Sequence, residues 1–199
     1  TMKDAQKETQ LIGLVGTNGA GKSTVCQILK RKNFLVVSLS DYIRQELRKK
    51  GQSQTRNNLV TMANLLKKKQ GQDILARSAV INISKFSQKS IVFDSIRNTS
   101  EITYLKQKGV VLWGIDASIE KRYERIQKRR RESDLIDFET FIAHDNRENT
   151  GISSGQNIHE SLKACDYQLK NNGSEKDLVQ EIDAVLKLLK NPQIDGCHV

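Results

Sequence analysis

Short apolar runs recur along this chain of 199 residues and alternate with segments of helical periodicity. Each run has the length of one strand, and the segments between them place apolar residues three and four positions apart. The predicted strands are residues 11–15, 34–37, 91–93, 110–115 and 167–169. This alternation predicts a three-layer α/β fold, in which a five-stranded parallel sheet has helices on both faces.

Two helical insertions extend the alternation. Between the second and third strands, where a simple crossover needs one helix, the pattern predicts three, at 41–50, 57–70 and 72–85. After the fourth strand come a basic helix at 118–131, another at 137–149 and a polar loop at 150–157. The last predicted helix spans 175–189.

The length and the absence of a linker rich in Pro, Gly or Ser predict one domain. Within it, residues 41–87 form an acceptor-binding insertion and residues 118–160 form a lid. The core then consists of residues 10–40, 88–117 and 163–190.

Residues 16–24, between the first strand and the first helix, read GTNGAGKST and match the phosphate-binding loop G-x-x-x-x-G-K-[ST]. Glycines let the backbone turn tightly and face its amides to phosphate oxygens, the lysine reaches the outer phosphates, and the following hydroxyl can bind Mg²⁺. The helix adds its N-terminal dipole. The predicted nucleotide-binding residues are Gly16, Thr17, Asn18, Gly19, Ala20, Gly21, Lys22, Ser23 and Thr24.

Asp94 ends the apolar run of the third strand, as expected of the strand that brings a carboxylate to Mg²⁺ beside the phosphate loop. The predicted metal ligands are therefore Ser23 and Asp94. The alternative is that Asp94 caps the helix that begins after Arg97, because Asp is a common cap residue.

Arginines occur on both insertions, and a planar guanidinium binds phosphate at two points. The predicted acceptor-binding residues are Asp41, Arg44, Arg56, Arg77 and Arg97. Asp41 is expected to orient a substrate hydroxyl or base, with helix capping as its rival.

The lid is expected to neutralise charge on a transferred phosphoryl group. The predicted catalytic residues are Lys22, Arg125, Arg129 and Arg147. The other lid arginines, Arg122, Arg130 and Arg131, are expected to be solvated.

The formal net charge of +10 favours acidic partners such as nucleotides, nucleic acid or anionic membranes. Only one aromatic residue, Tyr123, lies among the lid arginines, which makes nucleic acid an improbable partner because base stacking needs aromatic rings. No apolar stretch is long enough for a membrane span, and the first ten residues lack the apolar core of a signal peptide. We therefore expect no membrane partner and a cytoplasmic location.

The chain has three cysteines, Cys26, Cys165 and Cys197, which are far apart and form no C-x-x-C pair. This spacing predicts buried thiols rather than a disulfide framework or a zinc site.

Two other classes of phosphate-loop protein are disfavoured by the order of motifs. Residues 153–156, SSGQ, faintly resemble the signature of transporter-type ATPases, but they follow Asp94, whereas that signature precedes the acidic strand. GTPases use an N-K-x-D motif to read the base, and the chain has none. A small-molecule kinase remains.

Together these residues resemble the nucleoside monophosphate kinase-like P-loop proteins, close to dephospho-CoA kinases and the archaeal adenylate-kinase-related group. The resemblance covers roughly residues 10–190. Besides the phosphate loop it rests on SLSD at 38–41 with Arg44 and Glu46, TR at 55–56, DSIR at 94–97 with Glu101, RYER at 122–125, ACDY at 164–167 and NNGS at 171–174.

The resemblance implies a P-loop NTPase fold with ATP and Mg²⁺ as cofactors and with the phosphate acceptor held by residues 41–85. It places residues 171–174 beside the adenine, so Asn172, Gly173 and Ser174 join the predicted nucleotide-binding residues. The implied reaction transfers the γ-phosphoryl group of ATP to a nucleoside or deoxynucleoside monophosphate.

Three alternatives stay open at this point. Dephospho-CoA is the less favoured acceptor, because the Pro-Leu-Leu-Phe-Glu-like segment of dephospho-CoA kinases is missing where this chain has IVFDSIRN. Similar domains also precede deoxycytidylate deaminase domains, although this chain lacks the H-x-E and P-C-x-x-C deaminase signature. The second alternative is therefore that the domain is a non-catalytic nucleotide sensor, which regulates a partner or a fused catalytic domain. A homodimer is the third arrangement left open.

Overall fold

A computed structural model describes residues 10–85, 90–129, 136–150 and 158–190. Its five strands form one parallel sheet in the order β2-β3-β1-β4-β5. The five predicted strands are confirmed, each to within one residue at either end. The strands are β1 (Gln10–Gly16), β2 (Leu35–Ser38), β3 (Ser90–Asp94), β4 (Val111–Asp116) and β5 (Tyr167–Lys170).

Helices connect the strands and cover both faces of the sheet. In the described ranges they are α1 (Lys22–Arg31), α2 (Ser40–Lys49), α3 (Arg56–Gln70), α4 (Ile74–Ile83), α5 (Thr99–Gln107), α6 (Ile119–Arg129), α7 (Phe138–Thr150), α8 (Ile158–Lys163) and α9 (Glu175–Lys190). The predicted polar loop at 150–157 lies outside the described residues except for Thr150, which ends α7. The short helix α8 has no counterpart among the predicted elements.

Alternate residues of each strand enter different layers, as the period of two in a strand requires. On one face Trp113 of β4 packs with Leu29 of α1 and Ile182 of α9. On the other face Phe93 of β3 packs with Leu105 of α5 and with helices α2, α3 and α4. Burial on both faces confirms the three-layer α/β fold.

The carboxyl ends of the strands meet at one edge of the sheet because all the strands are parallel. The central strand β1 leads directly into the phosphate loop, and its neighbours β3 and β4 end at Asp94 and Asp116. The register pairs Ser38 of β2 with Asp94. The loop, two carboxylates and the start of α2 therefore lie at this edge.

No helix in the described part of the chain is both long and apolar enough to cross a membrane.

Candidate functional site

The phosphate loop has a backbone that only glycine fits at two positions. Gly19 and Gly21 have φ angles of 80° and 101°, in the left-handed region. A Cβ atom on Gly19 would lie 2.6 Å from the carbonyl oxygen of Arg122, and one on Gly21 would collide with the side-chain amide of Asn171. The two glycines therefore let the loop turn while it packs directly against its neighbours.

Polar groups of the loop are arranged to receive an anion. The Lys22 ammonium donates hydrogen bonds to the carbonyl oxygens of Gly16 (2.6 Å) and Thr17 (2.9 Å), which hold it against the loop. The amides of Gly19, Gly21 and Ser23 have no acceptor within residues 10–85, 90–129, 136–150 and 158–190. Unpaired amides at the N-terminus of α1, beside an ammonium, suit the phosphates of a nucleotide.

Arg122 is buried, so the expectation that it is solvated is wrong. Its guanidinium binds both carboxylate oxygens of Asp145, at 2.5 and 2.7 Å, and lies 5.7 Å from the ring centroid of Phe141. It also donates to the carbonyl oxygens of Ala117 (3.1 Å) and Asn18 (3.4 Å). Arg122 thus ties α6 to both the phosphate loop and α7. Arg130 and Arg131 lie outside the described residues.

Arg125, one turn further along α6, also contacts the loop. Its guanidinium donates to the carbonyl oxygens of Asn171 (2.7 Å), Ala20 (3.4 Å) and Gly19 (3.5 Å). The buried Asn171 side chain in turn donates to Ala20 (2.9 Å). Arg125 therefore sits where the phosphate loop meets the segment after β5.

The other two predicted lid residues are both exposed. Arg129 is exposed and reaches Asn18, with 3.5 Å between its Nη2 and Oδ1 of Asn18. Arg147 is exposed on α7. Their catalytic role stays a prediction.

The predicted adenine-binding residues form an exposed turn between β5 and α9. Asn172 Oδ1 accepts a hydrogen bond from the amide of Ser118 (2.8 Å). The amide and hydroxyl of Ser174 each donate to Asp177 (2.8 Å), and these bonds lower the pKa of that carboxyl. Gly173 lies between them, where a Cβ atom would be 2.6 Å from Asp177. The structure thus places all three residues beside the loop-facing Asn171.

Two carboxylates flank the phosphate loop, one of which the sequence reasoning missed. Asp94 is half-buried at the end of β3, and the helix that follows is capped by Asn98, so the cap alternative for Asp94 is wrong. On the other side Asp116 accepts a hydrogen bond from the Thr17 hydroxyl (3.2 Å). Asp116 also ends an apolar strand, which is the signal that could have found it.

The groups at this site that could bind a metal ion carry oxygen donors. The Ser23 hydroxyl is exposed at the start of α1, and Asp94 is the carboxylate of the adjacent strand. No cluster of three or more His, Cys, Asp or Glu occurs among the described residues. This donor set fits Mg²⁺, which prefers oxygen and usually binds through one or two protein groups together with substrate phosphates.

The predicted acceptor-binding insertion begins next to Asp94. The Leu39 amide donates to the Asp94 carbonyl oxygen (3.0 Å), and the Ser38 and Ser95 hydroxyls are 3.0 Å apart. Ser95 has a φ of 66°, an unusual backbone for a residue with a side chain. Asp41 lies in the first turn of α2 and accepts the Ser38 amide (3.3 Å), whereas the N-cap position is Leu39, so Asp41 is not the cap.

The structure separates the predicted acceptor arginines into two groups. Arg97 and Arg56 are exposed, and neither guanidinium has a hydrogen bond or ion pair within the described ranges. Arg44 donates to Gln54 (3.1 Å). Arg77 contacts the carbonyl oxygen of Gln70 and pairs with Asp73 (3.2 Å), so it stabilises the turn between α3 and α4.

The two described cysteines should react slowly with alkylating reagents. Burial, followed by the nearby charge of Asp94, raises the pKa of Cys26 to about 12. Burial, followed by the charge of Asp166, raises the pKa of Cys165 to about 12 as well. We expect alkylation at pH 8 to be about a thousandfold slower than in urea-unfolded protein, as measured by mass spectrometry of each cysteine peptide. Equal rates in folded and unfolded protein would contradict this.

The same shifts predict a loss of stability at high pH. The folded-state pKa lies above the unfolded value of about 9, so the folded protein holds these protons more tightly. This contribution to the free energy of unfolding is complete below pH 9 and is lost as pH rises towards 12.

Comparisons with known proteins identify relatives along most of the chain. Residues 12–151 match the AAA domain family. The UPF0200 protein MJ1399 of Methanocaldococcus jannaschii is 33% identical over 184 residues, which cover 91% of each chain. A UPF0200/UPF0201 protein of Archaeoglobus fulgidus is 30% identical over 194 residues, or 94% of this chain. The chain spans only 58% of the length of that relative.

Solved structures share the fold at low sequence identity. TT1252 from Thermus thermophilus superposes with a TM-score of 0.60 at 20% identity, covering 93% of this chain and all of that one. The shikimate kinase from Acinetobacter baumannii, in complex with shikimate, gives 0.55 at 18% identity, covering 92% and 96% of the two chains. The fold is thus that of the P-loop kinases.

The closer relation to nucleoside monophosphate kinases or dephospho-CoA kinases stays a prediction, because none of these matches carries either name. The family match runs from β1 to the residue that follows α7, and the relatives cover more than nine-tenths of the chain. The chain therefore belongs to the AAA domain family and to the UPF0200 proteins.

Proposed function

We propose that the protein is an ATP- and Mg²⁺-dependent kinase that phosphorylates a nucleoside or deoxynucleoside monophosphate. The observation that carries this proposal is the hydrogen-bonded junction between the ends of β2 and β3. It sets Asp41 and the start of the insertion beside Asp94, the carboxylate of the strand next to the phosphate loop. A donor site and an acceptor site therefore share one edge of the sheet.

On the donor side, ATP phosphates fit the cradle that the glycines leave open. The amides of Gly19, Gly21 and Ser23 face the phosphate oxygens, and Lys22 supplies a positive charge at the outer phosphates. Ser23 and Asp94 would hold Mg²⁺, which neutralises phosphate charge when bound. The protein's task is to position two anions and to neutralise them.

On the acceptor side, Arg97 has an available guanidinium on the turn that follows Asp94, and Arg44 lies in the second turn of α2. A monophosphate bound between them presents an oxygen to the γ-phosphorus of ATP. That oxygen forms the new P–O bond, the bond from the γ-phosphorus to the bridging oxygen breaks, and ADP leaves with a nucleoside diphosphate. Arg125 and Arg129 lie on the phosphate-loop side of this path, where they can stabilise the transferring group.

A coupled screen for ADP release tests the proposal. All common ribo- and deoxyribonucleoside monophosphates are assayed with MgATP, and dephospho-CoA and shikimate serve as hydroxyl acceptors. We expect turnover with at least one monophosphate, and Asp94→Asn should lower it by about a hundredfold or more because the metal-side charge is lost. Turnover with a hydroxyl acceptor alone, or undiminished turnover in the variant, would overturn the assignment.

A nucleotide sensor is the second candidate, because the Archaeoglobus fulgidus relative is considerably longer than this chain and so joins such a domain to further sequence. This candidate predicts that calorimetry detects ATP or deoxynucleoside triphosphate binding while the screen yields no ADP from any acceptor. A kinase instead binds ATP and releases ADP.

A further inference from the structure

Glu101, in the first turn of α5, is a fully buried carboxylate where the core meets the acceptor-binding insertion. Its Oε2 accepts hydrogen bonds from the amides of Arg97 (2.7 Å) and Asn98 (3.3 Å). The Asn98 side chain accepts the Glu101 amide in return (2.9 Å), which completes a capping box. One side chain thus fixes the backbone of the turn that carries Arg97.

The charge that balances Glu101 comes from the insertion. The last turn of α3 contains three consecutive lysines. Lys67 is turned inwards, with 14% of its side chain exposed, whereas Lys68 and Lys69 are exposed. The Lys67 ammonium lies 3.4 Å from Oε1 of Glu101. A buried carboxylate needs such a partner, because an uncompensated charge inside a protein is strongly unfavourable.

A second contact joins the same two regions. The Asn98 side-chain amide donates to the carbonyl oxygen of Gln72 (3.3 Å), in the turn between α3 and α4. The acceptor-binding insertion is therefore fastened at two points to the turn that follows β3. A shift of α3 has to disturb Glu101, and a disturbed Glu101 releases the backbone amide of Arg97.

We propose that Lys67 is a positioning residue of the acceptor site, which acts through Glu101 to hold Arg97 in place for the anionic group of the acceptor. The inference rests on the proposed function, in which Arg97 contacts the acceptor phosphate. Arg97 is exposed, so its own side-chain packing does not fix it, and its direction depends on the backbone that Glu101 holds. Pre-positioning of this kind lowers the entropy cost of binding.

The first test uses Lys67→Met, with Lys68→Met as the matched control one residue further along the same helix. Amide hydrogen exchange of the nucleotide-free protein is followed by NMR. We expect exchange at Arg97 and Asn98 to be about tenfold faster in Lys67→Met than in the wild type, with no change in Lys68→Met. Equal exchange in the two variants would overturn the proposal, whether or not the protein turns over any monophosphate.

The second test separates positioning from stability. With the monophosphate that the ADP-release screen identifies, Lys67→Met should raise the KM of the acceptor about fivefold or more while kcat and the KM of ATP change less than about twofold. Lys67→Arg, which keeps the charge, should restore the KM. A lower melting temperature with an unchanged acceptor KM would show a purely structural role and contradict the proposal.

Two further arms keep the result decisive. If no monophosphate is turned over, the proposed function fails by itself, and titration with inorganic phosphate at the Arg97 amide resonance replaces KM; equal affinity in Lys67→Met and Lys68→Met would overturn the positioning role. If Lys67→Met does not fold, the pair Lys67→Met/Glu101→Leu removes both charges without leaving a buried one unpaired, and it also removes the oxygen that accepts the Arg97 amide. Wild-type acceptor binding in that pair would also overturn it.

Discussion

Replacing Lys22 with alanine should lower kcat/KM for phosphoryl transfer by at least about a thousandfold, the largest effect on activity that we expect from a single substitution. The ammonium is held by the carbonyl oxygens of Gly16 and Thr17, so its charge is already in place at the loop before nucleotide binds. Alanine removes that charge but keeps the glycine backbone. The ADP-release assay measures the loss.

Lys30→Ala is the matched control, because Lys30 is an exposed lysine at the opposite end of the same helix. It should leave kcat/KM within about twofold of the wild type, since exposed charges far from a site contribute little. Comparable melting temperatures for the two variants exclude unfolding as the cause. Activity retained by Lys22→Ala would refute the assignment of the phosphate loop as the donor site.

Replacing Arg122 with methionine should produce the largest loss of stability. Removal of one partner from a buried ion pair costs about 3–5 kcal/mol, because Asp145 is left charged and without its bidentate partner. In a domain of this size that corresponds to a fall of roughly 6–20 °C in melting temperature. Both side chains are less than a tenth exposed, so solvent cannot replace the lost contact. Calorimetry or circular dichroism measures the shift.

Two variants control this experiment. Lys128→Met, on the same helix, removes a lysine that is 74% exposed and should change the melting temperature by no more than a degree or two. Arg122→Met/Asp145→Leu removes both charges and should recover part of the loss, since a buried pair can often be replaced by apolar residues. A melting temperature of Arg122→Met equal to that of Lys128→Met would disprove the stabilising role.

The sequence was sufficient to predict the sheet and the phosphate loop because both depend on local patterns. Apolar runs of strand length mark β1 to β5, and the loop has a fixed spacing of Gly16, Gly21 and Lys22. The capping box of Asn98 and Glu101 could also have been predicted from the sequence, since an Asn followed three positions later by a Glu is typical of a helix N-terminus. Asp94 was considered as the cap instead, although its strand continues to that residue.

The environment of individual charged side chains could not be predicted in the same way. Arg122 pairs with Asp145, which is 23 residues away, and Glu101 pairs with Lys67 across 34 positions. Nothing in the local pattern distinguishes Arg122 from the exposed Arg129 on the same helix, because burial depends on where α7 packs. Likewise, the last turn of α3 contains three consecutive lysines, and only the direction in which the helix packs decides that Lys67 is the one that contacts Glu101.

The position of β1 at the centre of the sheet has a consequence for how the chain folds. Both strands that pair with β1, namely β3 and β4, follow it much later in the chain and are synthesised after it. At ordinary synthesis rates this apolar strand waits roughly 4–16 s, the time needed to add the ~80 residues up to β3. Long-range parallel pairing is slow to form, and an unpaired apolar strand is prone to aggregate. The nascent chain of this protein should therefore be a chaperone client until both β3 and β4 have been synthesised.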